Sequence, residues 1–276
     1  MEIGKINKLK VSELGDIEYS LVDELSNKAL LRKSDITGNL LVGDIIEVFI
    51  YKDTDDRFIA TTVKPHIQIE EFAFLKVKGV NKFGAFIDWG LSMDLLVPFS
   101  EQTGRLEEDN WYLFFLLIDE KTGRLIASRK LNDFVFFDKI DVKPGDEVDL
   151  LLYDLTDLGM NVIVNNMFKG LIFSSDIHKN INPGDKIKGY VKQVRDDGKI
   201  DIVLEPLGYK QSIDKNSEII LMALNDNDGF LELHDKSSPE DIKQILGLSK
   251  KSFKKGLGFL YKQKLIELRI DGIKLI

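Results

Sequence analysis

Over the first 206 residues apolar and polar positions alternate in short runs, and no stretch keeps a helical period. The runs break at Gly43-Asp44, Gly123, Gly145-Asp146, Gly184-Asp185 and Asp197-Gly198, which are turn signals. The pattern predicts strands. It then changes: Ser217 to Leu224 is apolar at helical spacing and ends near Asn225-Asp226-Asn227-Asp228-Gly229. Ser238 precedes Pro239, Glu240 and Asp241, an N-cap with a first-turn proline and dipole-compatible acids, and this helix stops at Gly247. Ser249 caps a second helix of about 14 residues. LIELRI, the turn Asp271-Gly272 and IKLI then predict a strand, a tight turn and a strand.

The strand region repeats itself. ALLRKSDI (29–36), LLVPFSEQ (95–102) and GLIFSSDI (170–177) share apolar residues followed by Ser and an acid, at offsets of 66 and 75. LLVGDIIEVFIY (40–51), LEEDNWYLFFLL (106–117) and INPGDKIKGYVK (181–192) keep those offsets, and so, to within one residue, do RFIAT (57–61), RLIAS (124–128) and KIDIV (199–203). Each repeat holds about five strands, which suits a small closed barrel of oligonucleotide-binding type, because closure removes exposed edges. The expected fold is mostly β with a C-terminal α+β domain: three tandem five-stranded barrels, then helix, turn, helix and hairpin as in a winged helix. The expected domains are 1–66, 67–135, 136–208 and 209–276.

Charge separates these segments. They carry net −3, −3, −4 and +2 in order, within a total of −8. Binding of a polyanion by the first three therefore cannot rest on bulk charge and needs local contacts such as base stacking. The chain has no cysteine, so disulfides and cysteine-based zinc sites are excluded and a reducing compartment is expected. MEIGKINKLKV has no charged-then-apolar leader pattern, and the longest apolar runs, such as Leu113 to Ile118, are too short to span a bilayer. The expectation is a cytoplasmic protein without a membrane partner.

The sharpest chemistry is in VKGVNKFGAFIDWG (77–90). Gly84 allows a sharp bend after Phe83. Alternation then puts Ala85, Ile87 and Trp89 on one face, suited to the barrel interior, and Phe86 and Asp88 on the other. An outward Phe86 beside Lys82 is a stacking platform for unpaired bases, while packing of Phe83 and Phe86 in the core is the alternative. In the second helix Phe253, Leu257 and Leu260 form a core stripe. Lys250, Lys251, Lys254, Lys255 and Lys262 lie on an adjacent arc with no acid on the helix, and Gly258 within the arc offers close approach of a backbone. Such an arc either meets phosphate, as the groove-entering helix of a helix-turn-helix does, or stays solvated.

Catalytic readings find little support. His66, His178 and His234 are far apart, and no phosphate loop, dinucleotide fingerprint or nucleophile elbow is present. Asp53, Asp55 and Asp56, like Asp196 and Asp197, sit at predicted turn tips where solvated acids are expected. No catalytic residue, metal, cofactor or small-molecule substrate is expected.

KFGAFIDWG, LLVPFSE and GRLIAS together resemble the S-one RNA-binding domain, with the second repeat carrying the pattern most fully. The resemblance implies RNA contact through Phe83, Phe86, position 98 and Arg124; Pro98 stands where that family usually has His. In the first repeat the matching positions are Ile17, Ser20, Arg32 and Arg57, with Tyr19 as a substitute ring; in the third they are Leu158, Asn161, Phe173 and Lys199. Followed by SSPEDIKQILGLSKKSFKKGLGFLYKQKLIEL (237–268), the whole chain resembles the conserved virulence factor B family. That resemblance implies a bacterial RNA-binding protein, a post-transcriptional regulator of gene expression that in some relatives affects virulence genes. Single-stranded RNA is the expected partner, with a protein partner on the winged helix as a further option. The rivals are a DNA-binding transcriptional regulator acting through the winged helix and a metal-dependent nuclease.

Overall fold

In the computed structural model, which describes residues 1–36, 38–138, 140–206, 215–269 and 271–276, each repeat folds into five strands. The first comprises β1 (Ile6–Leu14), β2 (Glu18–Val22), β3 (Lys28–Arg32), β4 (Ile45–Lys52) and β5 (Phe58–Thr61). These close into a barrel in the order β1-β2-β3-β5-β4, sealed by the parallel pairs Leu30 with Ile59 and Leu31 with Ala60. The third comprises β11 (Glu147–Thr156), β12 (Gly159–Val164), β13 (Phe168–Phe173), β14 (Lys186–Val194) and β15 (Ile200–Val203), closed in the same way. The second comprises β6 (Phe72–Asn81), β7 (Gly84–Ile87), β8 (Leu95–Pro98), β9 (Trp111–Ile118) and β10 (Leu125–Ser128). Here β8 and β10 lie side by side, but no ladder joins them among the described residues, so the sheet has the order β10-β9-β6-β7-β8. The three Ser-acid elements are short helical turns, Lys33–Asp35, Phe99–Glu101 and Ser174–Asp176, each following the third strand of its repeat.

Residues 1–204 form one compact body because several strands are buried on both faces. In β4, Val48 and Ile50 fill the first barrel, while Phe49 and Tyr51 point out of it and pack with Ile87, Trp89 and Phe114 of the second sheet. In β9, Phe114 and Leu116 belong to that second core, while Leu113 and Phe115 meet Leu151 and Ile163 of the third barrel. Leu150 and Leu152 fill the third barrel itself. A strand covered on both sides must be apolar at successive positions, whatever its pleat. Trp89, expected inside a barrel, is buried with its ring edge-on to Phe49 at 5.7 Å and Tyr51 at 6.3 Å, so it also serves the joint. At the other joint Asn166 accepts from the Phe72 amide at 2.8 Å and donates to the Glu70 carbonyl at 2.8 Å.

The second compact unit, Glu205–Ile276, has α1 (Lys215–Asp226), β16 (Phe230–Leu231), α2 (Pro239–Leu246), α3 (Lys250–Lys262), β17 (Ile266–Leu268) and β18 (Ile273–Leu275). The expected boundary between 208 and 209 lies outside the described residues, as does Ile270 of the expected strand. Ser238 and Ser249 cap their helices by accepting from Asp241 and Ser252 amides, both at 3.1 Å, and Gly247 ends α2 in the left-handed region. Phe253, Leu257 and Leu260 are buried against Ile220, Leu224, Ile242 and Ile273. A two-residue strand too short to show a period, β16, joins the hairpin in a sheet ordered β16-β18-β17, and at the end of the hairpin the Arg269 amide donates to the Gly272 carbonyl at 2.8 Å.

Gly258, the glycine of the lysine arc, stays open, and the close approach of the helices is at Gly256. A Cβ there would lie 3.0–3.1 Å from Ile220 Cδ1 and from the backbone of Asn216 and Ser217, whereas a Cβ at Gly258 meets nothing within 4 Å. The helix axis passes α1 on the Gly256 side, one residue from the core residue Leu257. Gly256→Ala therefore lowers the melting temperature, because backbone atoms of α1 cannot yield. Gly258→Ala raises stability by up to about 1 kcal/mol through helix propensity. Thermal melts of both variants check the contrast, and a stabilised Gly256→Ala would refute the contact.

Candidate nucleic-acid interface

The second sheet presents its two candidate rings differently. Gly84 lies at φ +149° where a Cβ would sit 2.2 Å from the Val97 carbonyl oxygen, and Gly159 of the third barrel repeats this at φ +143° and 2.0 Å from the Ile172 oxygen. Only glycine lets the strands approach so closely there. Immediately before Gly84, Phe83 is 62% exposed, and its amide donates to Asn81 Oδ1 at 2.9 Å. Lys82 Nζ stands 5.0 Å from the Phe83 ring centroid. After the bend Ala85, Ile87 and Trp89 are buried, and Phe86 and Asp88 are half-buried on the opposite face.

Phe86, Pro98 and Arg124 come together. They line a cavity of about 280 Å3 whose other walls include Trp89 and, from the first barrel, Tyr51 and Asp53. Phe83 and Lys82 are not among its lining residues. Arg124 Nη2 donates to the Thr54 carbonyl at 2.7 Å and lies 3.7 Å from Asp56, so the β4–β5 hairpin of the first barrel holds it. Its Nε is buried without a hydrogen-bond partner among the described residues. The resemblance-derived face of the second sheet is thus a pocket shared with its neighbour, a feature that no single repeat can reveal.

The other repeats place their residues apart from that pattern. Tyr19 is half-buried with Lys33 Nζ 5.3 Å from its ring centroid, Arg32 is exposed, and Ile17 is exposed without a π-face. Arg57 is held by Asp53 through Nε at 2.9 Å and Nη2 at 2.7 Å. The Asp53 carboxyl sits below its usual range: burial opposes ionisation, but hydrogen bonds from Arg57 and the Asp55 amide outweigh it. In the third barrel Phe173 is half-buried between Arg195, 5.4 Å from its centroid, and Lys192, at 5.9 Å. Lys199 instead pairs with Asp197 at 3.2 Å, and Leu158 is exposed. Lys33, Lys192 and Arg195 were missed from the sequence. Lys33 is adjacent to Arg32, whereas Lys192 and Arg195 reach Phe173 only across strands.

On α3, Lys251, Lys254, Lys255 and Lys262 are exposed and Lys250 is half-buried, with four of the five in the N-terminal half of the helix and Gly258 exposed beside them. His66 and His178 are exposed, and His234 Nδ1 accepts from the Lys236 amide at 3.1 Å. Among the described residues no group of three or more potential metal ligands is found, and no helix is long and apolar enough to cross a membrane.

Residues 218–275 match the family profile described as a CvfB-like winged helix domain, and residues 3–63 match that of the S1 domain. The chain is 30% identical to the uncharacterized protein YitL of Bacillus subtilis over 273 residues, 95% of this chain and 90% of that protein. It is 29% identical to conserved virulence factor B of Staphylococcus aureus strain USA300, over 99% of this chain and 94% of the relative. Among solved structures, a multidomain protein with nucleic acid binding domains from Streptococcus pneumoniae aligns over 99% of this chain and 98% of its own, at 25% identity and a TM-score of 0.44.

The different exposure of the two rings has a measurable consequence. Phe83→Ala leaves stability within about 0.5 kcal/mol of the parent, as for a surface change away from special features. Phe86→Ala costs about 1–3 kcal/mol, because it empties one wall of the shared cavity. Denaturant unfolding of the two variants separates them, and equal losses would show that Phe83 also packs in the core.

Proposed function

This chain belongs to the conserved virulence factor B family, and on that premise we propose that it binds single-stranded RNA and acts as a post-transcriptional regulator in the bacterial cytoplasm. Its S1 and winged-helix domains are of nucleic-acid-binding type, which points to binding rather than catalysis. We take the modules as 1–66, 67–135, 136–208 and 209–276. The observation that carries the RNA reading is a ring with a cation beside it in each repeat: Phe83 with Lys82, Tyr19 with Lys33, and Phe173 with Arg195 and Lys192. A base stacked on such a ring keeps its phosphate near the cation, so an acidic barrel can bind RNA without a bulk positive field. The three rings differ in exposure, so the repeats contribute unequally, with Phe83 the strongest.

A second reading gives the main role to α3, whose lysines lie on the helix that enters a groove in helix-turn-helix proteins. In that case duplex DNA is the ligand. Competition anisotropy with single-stranded RNA and duplex DNA of equal length decides between them. RNA is expected to win with a shallow salt dependence, and Phe83→Ala is expected to weaken it by about 1–3 kcal/mol. Preference for duplex DNA overturns the barrel-centred reading.

The lysine arc makes a separate prediction. Changing Lys250, Lys251, Lys254 and Lys255 together to Gln preserves helix propensity. Each lost phosphate contact flattens the slope of log affinity against log salt by about 0.7 for a single strand. The quadruple variant is expected to be weak at low salt and to converge with the parent at high salt, while Phe83→Ala stays weak throughout. An unchanged slope would leave the winged helix as a site for a protein partner.

A further inference from the structure

Where the second sheet meets the third barrel, a pocket of about 440 Å3 opens between Thr103, Arg129, Lys130, Asn132, Asp133 and Lys169. None of these residues belongs to the interface described above. Arg129 and Lys130 follow β10, and Lys169 projects from β13 between the buried Phe168 and Gly170. Lys130 pairs with Glu101 at 3.4 Å. The other two cations have no such partner: among the described residues neither Arg129 nor Lys169 pairs with a carboxylate.

Arg129 lies with its guanidinium 4.5 Å from the Tyr112 ring centroid, and its Nε is buried without a hydrogen-bond acceptor among the described residues. Such a donor is costly to leave unmade. Lys169 Nζ donates to the neutral side-chain oxygen of Asn132. Burial, and then repulsion from Lys199, hold the Lys169 ammonium below its ordinary range. Burial does the same to Arg129. The carboxylates that face the pair are Asp133 on the pocket wall and Asp154 towards Arg129. Two partly desolvated cations, one with an orphan donor, thus share a cavity large enough for a small tetrahedral anion.

We propose that this pocket is a phosphate subsite that holds a backbone phosphodiester of the bound RNA between the second and third barrels. The inference rests on the RNA reading and adds to it the point where the strand is anchored. Arg129 and Lys169 supply charge-assisted hydrogen bonds and Thr103 supplies a hydroxyl donor. Asp133 opposes binding. The subsite explains how two acidic barrels hold a polyanion: the contact is local and sunk into their joint.

The test measures binding of labelled oligouridylate across a salt series to the full chain and to Lys169→Gln, Lys169→Arg and Asp133→Asn. Lys169→Gln is expected to bind several-fold more weakly at low salt, with a slope reduced by about 0.7, and to converge with the parent at high salt. Lys169→Arg keeps the charge and retains most of the affinity. Asp133→Asn, an exposed change that leaves the fold intact, binds more tightly. An unaltered slope in a folded Lys169→Gln, or no gain in Asp133→Asn, overturns the proposal. If the parent binds no RNA, the functional reading fails by itself, and the pocket is judged with inorganic phosphate. A rise in melting temperature over chloride of equal ionic strength, lost in Lys169→Gln, keeps an anion subsite for a free phosphate group, and no rise removes it.

Discussion

The architecture of residues 1–204 depends on strands that are buried on both faces. A five-stranded barrel of this size has a small core and leaves one face of each strand exposed. Phe49 and Tyr51 on β4, and Leu113 and Phe115 on β9, turn that second face into a joint with the neighbouring repeat. Trp89 packs edge-on against Phe49 and Tyr51, and Phe115 stacks on Phe134 at 4.2 Å and tilts against Phe72 at 4.8 Å. Three marginal five-stranded units gain area by sharing it, and the loops at their joints acquire fixed partners. Both cavities of interest, around Arg124 and around Arg129 with Lys169, lie at such joints.

Electrostatics in this body is local. Several basic residues that the repeat pattern marks for RNA are engaged by hairpin acids: Arg57 by Asp53 and Lys199 by Asp197 of their own hairpins, and Arg124 by Asp56 of the neighbouring one. Exposed pairs of this kind contribute little to stability, but they direct where a cation points. The cations that stand over rings are often different residues, Lys33, Lys192 and Arg195. Their position follows from strand pairing: Arg195 is tied to the buried Asp201 at 2.6 Å and thereby held beside Phe173. The net charge of the chain is therefore a poor guide to where a phosphate can sit.

In the C-terminal domain the constraint is the passage of α1 across α3. Gly256 removes the side chain at the crossing, and Phe253, Leu257 and Leu260 fill the space on either side. The lysines are displaced to the remaining surface of α3, where no acid of that helix compensates them. An ordinary amphipathic division of the helix thus creates the basic arc, and the caps Ser238 and Ser249 set where each helix begins.

Much of this was legible in the chain alone, because it depends on short-range rules. Turn residues and period-two alternation mark the strands, the Ser-acid repeat marks the three short helical turns, and cap residues mark α2 and α3 to within a residue. Burial of Ala85, Ile87 and Trp89 follows from alternation after Gly84. The unbroken apolar runs at Val48 to Tyr51 and Leu113 to Leu116 were visible too, but a run does not say which neighbour covers its second face. That was decided by tertiary structure, as were the helix crossing at Gly256, the missing ladder between β8 and β10, and the capture of Arg124 by Thr54. The periodicity of a strand or helix determines which side chains share a face. Only the packing of one element on another determines what that face meets, and the side chains that define both cavities come from two neighbouring repeats.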